Sequence, residues 1–161
     1  LSGIAIGEYT VKETVTDEKN YSYTATYTID NGNSSTYNAT SGIAANVTEN
    51  TTTTVNLTNA YKLGNLDLTK TITNYPGTTV PNVSFTVTSE KGFSQSFTLA
   101  ADFELKNGKY VLKDASKAKL TNIAVDEYTV KETVTDEKNY SYTATYTIDN
   151  GNSSNYNVTT G

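Results

Sequence analysis

The stretch Gly64-Asn65-Leu66-Asp67-Leu68-Thr69-Lys70 reads as a β-strand, and it decides how the rest of the chain is read. Successive side chains of a strand point to opposite faces, so Leu66, Leu68, Lys70 and Ile72 share one side. Asn65, Asp67, Thr69 and Thr71 share the other. The lysine therefore stands on the apolar face. An ammonium there is costly unless it is paired, neutralised or consumed by chemistry, which directs attention to the polar groups it meets.

The same alternation recurs along the chain. Glu8 to Thr16 places Tyr9, Val11, Glu13 and Val15 on one face and Thr10, Lys12, Thr14 and Thr16 on the other. Tyr21 to Ile29 directs Tyr21, Tyr23, Ala25, Tyr27 and Ile29 inward, and Asp30-Asn31-Gly32-Asn33 reads as a turn. Val47 to Tyr61 ends with Val55, Leu57, Asn59 and Tyr61 on one face. Lys62 to Asn65 is a short connector, and Asn74-Tyr75-Pro76-Gly77 a turn. Val83, Phe85 and Val87, then Phe93, Phe97 and Leu99, carry further apolar faces, with Gln95 a polar exception suited to an edge or a turn. Lys106-Asn107-Gly108-Lys109 reads as a hairpin turn. Leu120 to Val125 leads into a last strand, Tyr128 to Val134. Thirteen tyrosines, abundant threonine and the lack of helical periodicity complete the expectation of an all-β protein, a β-sandwich.

Composition excludes several functions. There is no Cys, His, Met or Trp, and all twelve basic residues are lysines. Thiolate and imidazole catalysis, the usual zinc and copper ligand sets and disulfides are removed together, and no cofactor or metal is expected. A net charge of −5 without a basic patch argues against nucleic acid as a partner. No apolar run approaches the ~20 residues that span a bilayer, so no membrane insertion is expected in this segment. Asp17-Glu18-Lys19 and Asp136-Glu137-Lys138 read as exposed loop charge rather than calcium ligands. The threonine alternations read as a solvated sheet face.

The chain repeats. Glu8 to Ser35 (EYTVKETVTDEKNYSYTATYTIDNGNSS) is identical to Glu127 to Ser154, a period of 127 − 8 = 119 residues, and the flanks align at the same offset. A period this long suits a whole domain in tandem rather than a solenoid coil. Residues 1–62 are read as the C-terminal part of one repeat, and residues 63–161 as the N-terminal and middle part of the next.

Three polar residues now stand on apolar strand faces: Lys70, Asn59, and Glu132 with its copy Glu13. Any one alone reads as an edge position or a cross-strand ion pair. Together they are the ingredients of amide exchange. A neutral lysine Nζ attacks the asparagine side-chain carbonyl, ammonia leaves, and an isopeptide bond remains. Desolvation is expected to push the lysine pKa down and the glutamate pKa up, so that an uncharged nucleophile meets a protonated acid. That acid polarises the carbonyl and moves protons to the leaving amine. Such a protein reacts once with itself; it is not a turnover enzyme.

These residues resemble the CnaB-like and major-pilin-like, immunoglobulin-like β-sandwich domains of Gram-positive surface proteins. The motifs are G-x-L-x-L-x-K at Gly64 to Lys70, an acid-bearing Y-x-V-x-E-T at Tyr128 to Thr133 and Tyr9 to Thr14, N-x-Y at Asn59-Ala60-Tyr61, and V-P-x-V-x-F at Val80 to Phe85. The resemblance implies tandem domains of a cell-surface stalk or pilus shaft, extracellular and attached to a cell wall. It implies Lys70 and Asn59 as the bond-forming residues and Glu13 or Glu132 as the catalytic acid. A ligand-binding adhesion module for host glycan or protein is the alternative, favoured by a cluster of tyrosines at one loop end.

In that family the lysine opens a domain and the asparagine closes it, whereas here Asn59 precedes Lys70 by 70 − 59 = 11 residues. The two therefore belong to consecutive repeats, and the copy of Asn59 that would serve Lys70 falls one period on, at position 178. Three readings stay open: a piece of a longer tandem array, strand complementation by residues 43–61 of a neighbouring subunit, or a permuted single domain.

Overall fold

The computed structural model describes residues 1–16, 21–135, 141–149, 151 and 154–155. The loop-charge segments 17–19 and 136–138 lie outside the described residues. The chain is mostly β-structure, and it divides into two compact units, Leu1–Leu63 and Gly64–Gly161.

Among its described residues the first unit has five strands: β1 (Gly7–Val11), β2 (Tyr23–Ile29), β3 (Ser35–Thr36), β4 (Ile43–Val47) and β5 (Val55–Tyr61). β1 pairs antiparallel with β4, and β2 lies between β3 and β5. Ile43 and Ala45 of β4 are its buried apolar side chains. The turn after β2 is built as its sequence demands. Asp30 and Asn31 both take positive φ, and the Gly32 N–H donates to the Ile29 carbonyl at 2.8 Å. That mirror-image turn matches the twist of a β-ribbon and is cheapest for Asn, Asp and Gly. The second copy repeats it, with Asp149 at φ 50° and Gly151 donating to Ile148.

The second unit is larger. Its elements are β6 (Leu63–Gly64, at the division between the units), β7 (Thr69–Lys70), β8 (Asn82–Ser89), β9 (Ser94–Thr98), α1 (Leu99–Asp102), β10 (Phe103–Lys106), β11 (Lys109–Leu112), α2 (Asp114–Lys117), β12 (Ile123–Ala124), β13 (Tyr128–Thr135), β14 (Thr145–Tyr146) and β15 (Ser154–Asn155). β8 is central in the order β13-β8-β9, and β11 is central in β10-β11-β7. Both sheets feed one core of Val83, Phe85, Val87, Phe97, Leu99, Phe103, Leu112 and Leu120. Burying a side chain of this size contributes about 1.5–3 kcal/mol, so this cluster is the main source of the unit's stability.

Several expectations change in detail. The decisive stretch keeps its alternation, with Leu66, Leu68, Lys70 and Ile72 half-buried and their neighbours exposed, but it is strand only at its ends, Gly64 in β6 and Thr69 and Lys70 in β7. Before them, the Leu66 N–H instead donates to the Leu120 carbonyl at 2.9 Å. The run from Glu8 is a strand only to Val11, where its ladder with β4 ends, whereas its copy extends to Thr135 along the whole of β8. Identical residues thus form strands of different length because their partners differ. Tyr23 and Tyr61, expected inward, are exposed. Gln95 does sit on an edge strand, opposite Val87.

Candidate functional site

Each unit holds one carboxylate of the repeated motif, and each carboxylate has a different partner. In the second unit, β7 presents Lys70 beside Tyr110 of β11, and β13 presents Glu132 opposite Phe85 of β8. The even spacing that puts Val130, Glu132 and Val134 on one face turns the carboxylate toward the same core as Leu66 and Leu68. Lys70 Nζ donates to Glu132 Oε1 at 2.8 Å and to Oε2 at 2.9 Å. The two side chains are 18% and 12% exposed, so the pair is far drier than a surface ion pair. Beside it opens a groove of about 740 Å³ lined by Lys70, Ile72, Tyr75, Val83, Glu132 and Tyr142, among others.

In the first unit the partner is the carboxamide. Asn59 lies on β5 opposite Ala25 of β2, on the face it shares with Val55 and Leu57. Its Nδ2 donates to Glu13 Oε1 at 2.9 Å. Glu13 follows the end of β1 and is held by Tyr37, whose hydroxyl accepts from the Glu13 N–H at 2.8 Å and lies 3.3 Å from its carbonyl. Asn59 Oδ1 and Glu13 Oε2 are both buried and have no hydrogen-bond partner among the described residues. A buried acceptor left in that condition costs about 1–3 kcal/mol, and the two belong to side chains already in hydrogen-bond contact, one of them a carboxylate, a setting suited to a cationic donor.

The four residues singled out in the sequence are thus gathered two by two: amine with carboxylate in one unit, carboxamide with carboxylate in the other. Tyr37 was not found by sequence reading. It lies just beyond β3 in no alternating run, and nothing in its spacing marks it as the group that fixes Glu13.

Among the described residues no group of three His, Cys, Asp or Glu side chains is placed to hold a metal ion, and no helix is long and apolar enough to cross a membrane. Compared with family models, curated proteins and solved structures, the chain matches none.

Proposed function

We propose that this chain carries structural repeats of a bacterial cell-surface stalk or pilus shaft, immunoglobulin-like CnaB-type domains each locked by a self-generated Lys-Asn isopeptide bond. The observation that carries this reading is the division of labour between the two identical motifs. The carboxylate holds the amine in one unit and the carboxamide in the other. In a complete repeat a single carboxylate would hold both.

The chemistry follows from that arrangement. Proton transfer along the 2.8 Å Lys70–Glu132 hydrogen bond turns the ion pair into a neutral amine and a carboxylic acid, the forms the exchange requires. Nζ then attacks Cγ of the asparagine while the acid donates a hydrogen bond to the amide oxygen. The Nζ–Cγ bond forms, the Cγ–Nδ2 bond breaks, and the proton lost by Nζ leaves with Nδ2 as ammonia. The carboxyl ends with its own proton and is not consumed. Holding the groups in contact supplies the proximity that makes a slow amide exchange feasible. A covalent tie across a domain resists unfolding under force and proteolysis without disulfides, which suits an extracellular tether.

The test is a peptide map of a chain extended through the copy of Asn59. A branched peptide joined through Lys70 supports the reading, and recovery of both residues in ordinary linear peptides refutes it. One observation favours the adhesion module as a second reading. Tyr21, Tyr23 and Tyr61 gather at one end of β2 and β5, with the Tyr61 ring centroid 6.0 Å from that of Tyr21 and 5.5 Å from that of Tyr23. Tyr23 and Tyr61 are exposed, as a sugar-stacking surface requires.

A further inference from the structure

Gln95, the polar exception among the apolar faces of the second unit, marks a sheet edge that carries none of the usual guards. We infer that this edge, β9, is a self-association surface, on which β9 of one copy pairs antiparallel with β9 of a second copy about a two-fold axis at Ser96.

Backbone geometry fixes which groups are available. β9 pairs with β8 on one side, and among the described residues no strand pairs with it on the other. The Ser89 N–H donates to the Phe93 carbonyl at 3.0 Å, so Phe93 directs its backbone toward β8. Orientation alternates along an antiparallel strand, so Gln95 and Phe97 also face β8, while Ser94, Ser96 and Thr98 face outward. The Thr98 N–H agrees with this phase, since it turns from β8 and donates to Asp102 Oδ2 at 2.7 Å. Among the described residues no such side chain covers the outward groups of Ser94 and Ser96. The edge is a property of the repeat. In the first unit β4 and β5 pair with β1 and β2, whose sequences return on β13 and at residues 142–148, and β13 lies across β8 from β9.

Sheet edges are commonly guarded against pairing by lysine, other charges or proline. β10, an edge of the other sheet, follows that rule with Glu104 and Lys106, paired at 2.6 Å. β9 does not. Phe93-Ser94-Gln95-Ser96-Phe97-Thr98 holds neither a charge nor a proline, in a chain of net charge −5, so two acidic copies can approach there without like charges meeting. The occupant is a second copy because the strand is complementary to itself. A two-fold axis at Ser96 sets Ser96 opposite Ser96, where the N–H and C=O groups exchange both bonds. It also sets Ser94 opposite Thr98, so each Ser94 N–H reaches a Thr98 carbonyl. The exposed side chains of Ser94, Ser96 and Thr98 then meet hydroxyl to hydroxyl, a favourable cross-strand pairing. On the other face the half-buried Gln95 stands opposite Phe97 of the second copy. Asp102 keeps the Thr98 N–H, so the ladder ends there and the contact is short and reversible. In a stalk the edge recurs in every repeat, and contacts weak singly add along two stalks lying side by side. That consequence rests on the stalk reading; the pairing itself does not.

The test is sedimentation equilibrium of the native chain and of variants at Ser96, whose side chain is exposed and whose N–H faces away from β8, so that substitution spares the fold. The native chain is expected to dimerise reversibly as its concentration rises toward about 1 mM. Ser96→Lys and Ser96→Glu each set like charges face to face on the axis, and each alone is expected to weaken the dimer about tenfold or more. An equimolar mixture of the two is expected to restore it, because the facing charges are then opposite. Lys70→Arg, which blocks the isopeptide bond, is expected to leave the dimer unchanged. A native chain that stays monomeric at that concentration overturns the proposal, as does a dimer that neither Ser96 variant weakens. A mixture no more associated than either variant alone overturns the axis at Ser96. A monomeric native chain in which an extended peptide of alternating valine and threonine slows hydrogen exchange at Ser94–Thr98 shows that the edge takes a foreign strand, and overturns the second copy as its occupant.

Discussion

The same substitution at the same motif position is expected to have opposite effects in the two units. Glu132→Gln replaces a carboxylate that accepts from Lys70 Nζ at 2.8 and 2.9 Å by an amide with a single acceptor oxygen. It removes the counter-charge of an ammonium only 18% exposed. Charge-assisted bonds of this kind contribute roughly 1.5–3 kcal/mol, and the surviving lysine is left in a site that disfavours it, so a loss of about 2–3 kcal/mol is expected. Glu13→Gln acts the other way. The glutamine oxygen keeps the 2.9 Å bond from Asn59 Nδ2, and its new NH₂ is expected to donate to Asn59 Oδ1, which has no partner among the described residues. A reciprocal amide pair replaces a buried charge and two unsatisfied acceptors, for a gain of about 1 kcal/mol. Hydrogen exchange followed by mass spectrometry across a urea series resolves the two units. Peptides from the duplicated segment cannot be told apart by mass, but Val55–Tyr61 reports on the first unit alone and Asn82–Thr98 on the second. Changes of the same sign in both units would refute the reasoning, because they would show that the two carboxylates share one environment.

Three further outcomes follow from the packing. Phe97→Ala empties a site 1% exposed at the centre of the second unit and is expected to cost about 3–5 kcal/mol, read as a lower urea midpoint for Asn82–Thr98. Gly42→Ala puts a Cβ at 2.8 Å from the Val11 carbonyl oxygen in a residue at φ +72°, and is expected to cost at least 1 kcal/mol and to speed exchange in β4. At Asp102, burial opposes ionisation, but the Thr98 amide, the Ser116 hydroxyl and the Lys119 charge outweigh it and hold the carboxyl below its ordinary value. A depressed carboxyl stabilises the fold above its unfolded pKa of about 4, and this is lost as pH falls through the folded value. Acid titration of the second unit followed by circular dichroism is expected to show a decline of roughly 1 kcal/mol in the native chain that Asp102→Asn flattens.

The faces of the strands were legible in the sequence because side-chain alternation is local. Leu66, Leu68, Lys70 and Ile72 stay on one side even where no ladder forms. Turns were legible for the same reason, since Asn107 and Gly108 take the positive φ that their hairpin requires. Strand length was not, because the partner sets it: the Glu8 run stops with β4 and its copy continues with β8. The two short helices were missed, as four residues are too few to show a helical period. Asp102, which binds the Thr98 N–H at 2.7 Å and Ser116 Oγ at 2.7 Å, was missed because its partners are brought to it by the fold. The polar exceptions Lys70, Asn59, Glu13 and Glu132 were legible singly; how they divide between the two units is a tertiary fact.

The central claim is that one carboxylate brings together an amine and a carboxamide that react. Its most direct measurement is the intact mass, in denaturant, of a chain extended from Gly64 through the copy of Asn59, compared with the same chain carrying Lys70→Arg. The account predicts that the native chain is one ammonia lighter than its sequence mass and that the variant is not. A native chain at its full sequence mass would contradict it.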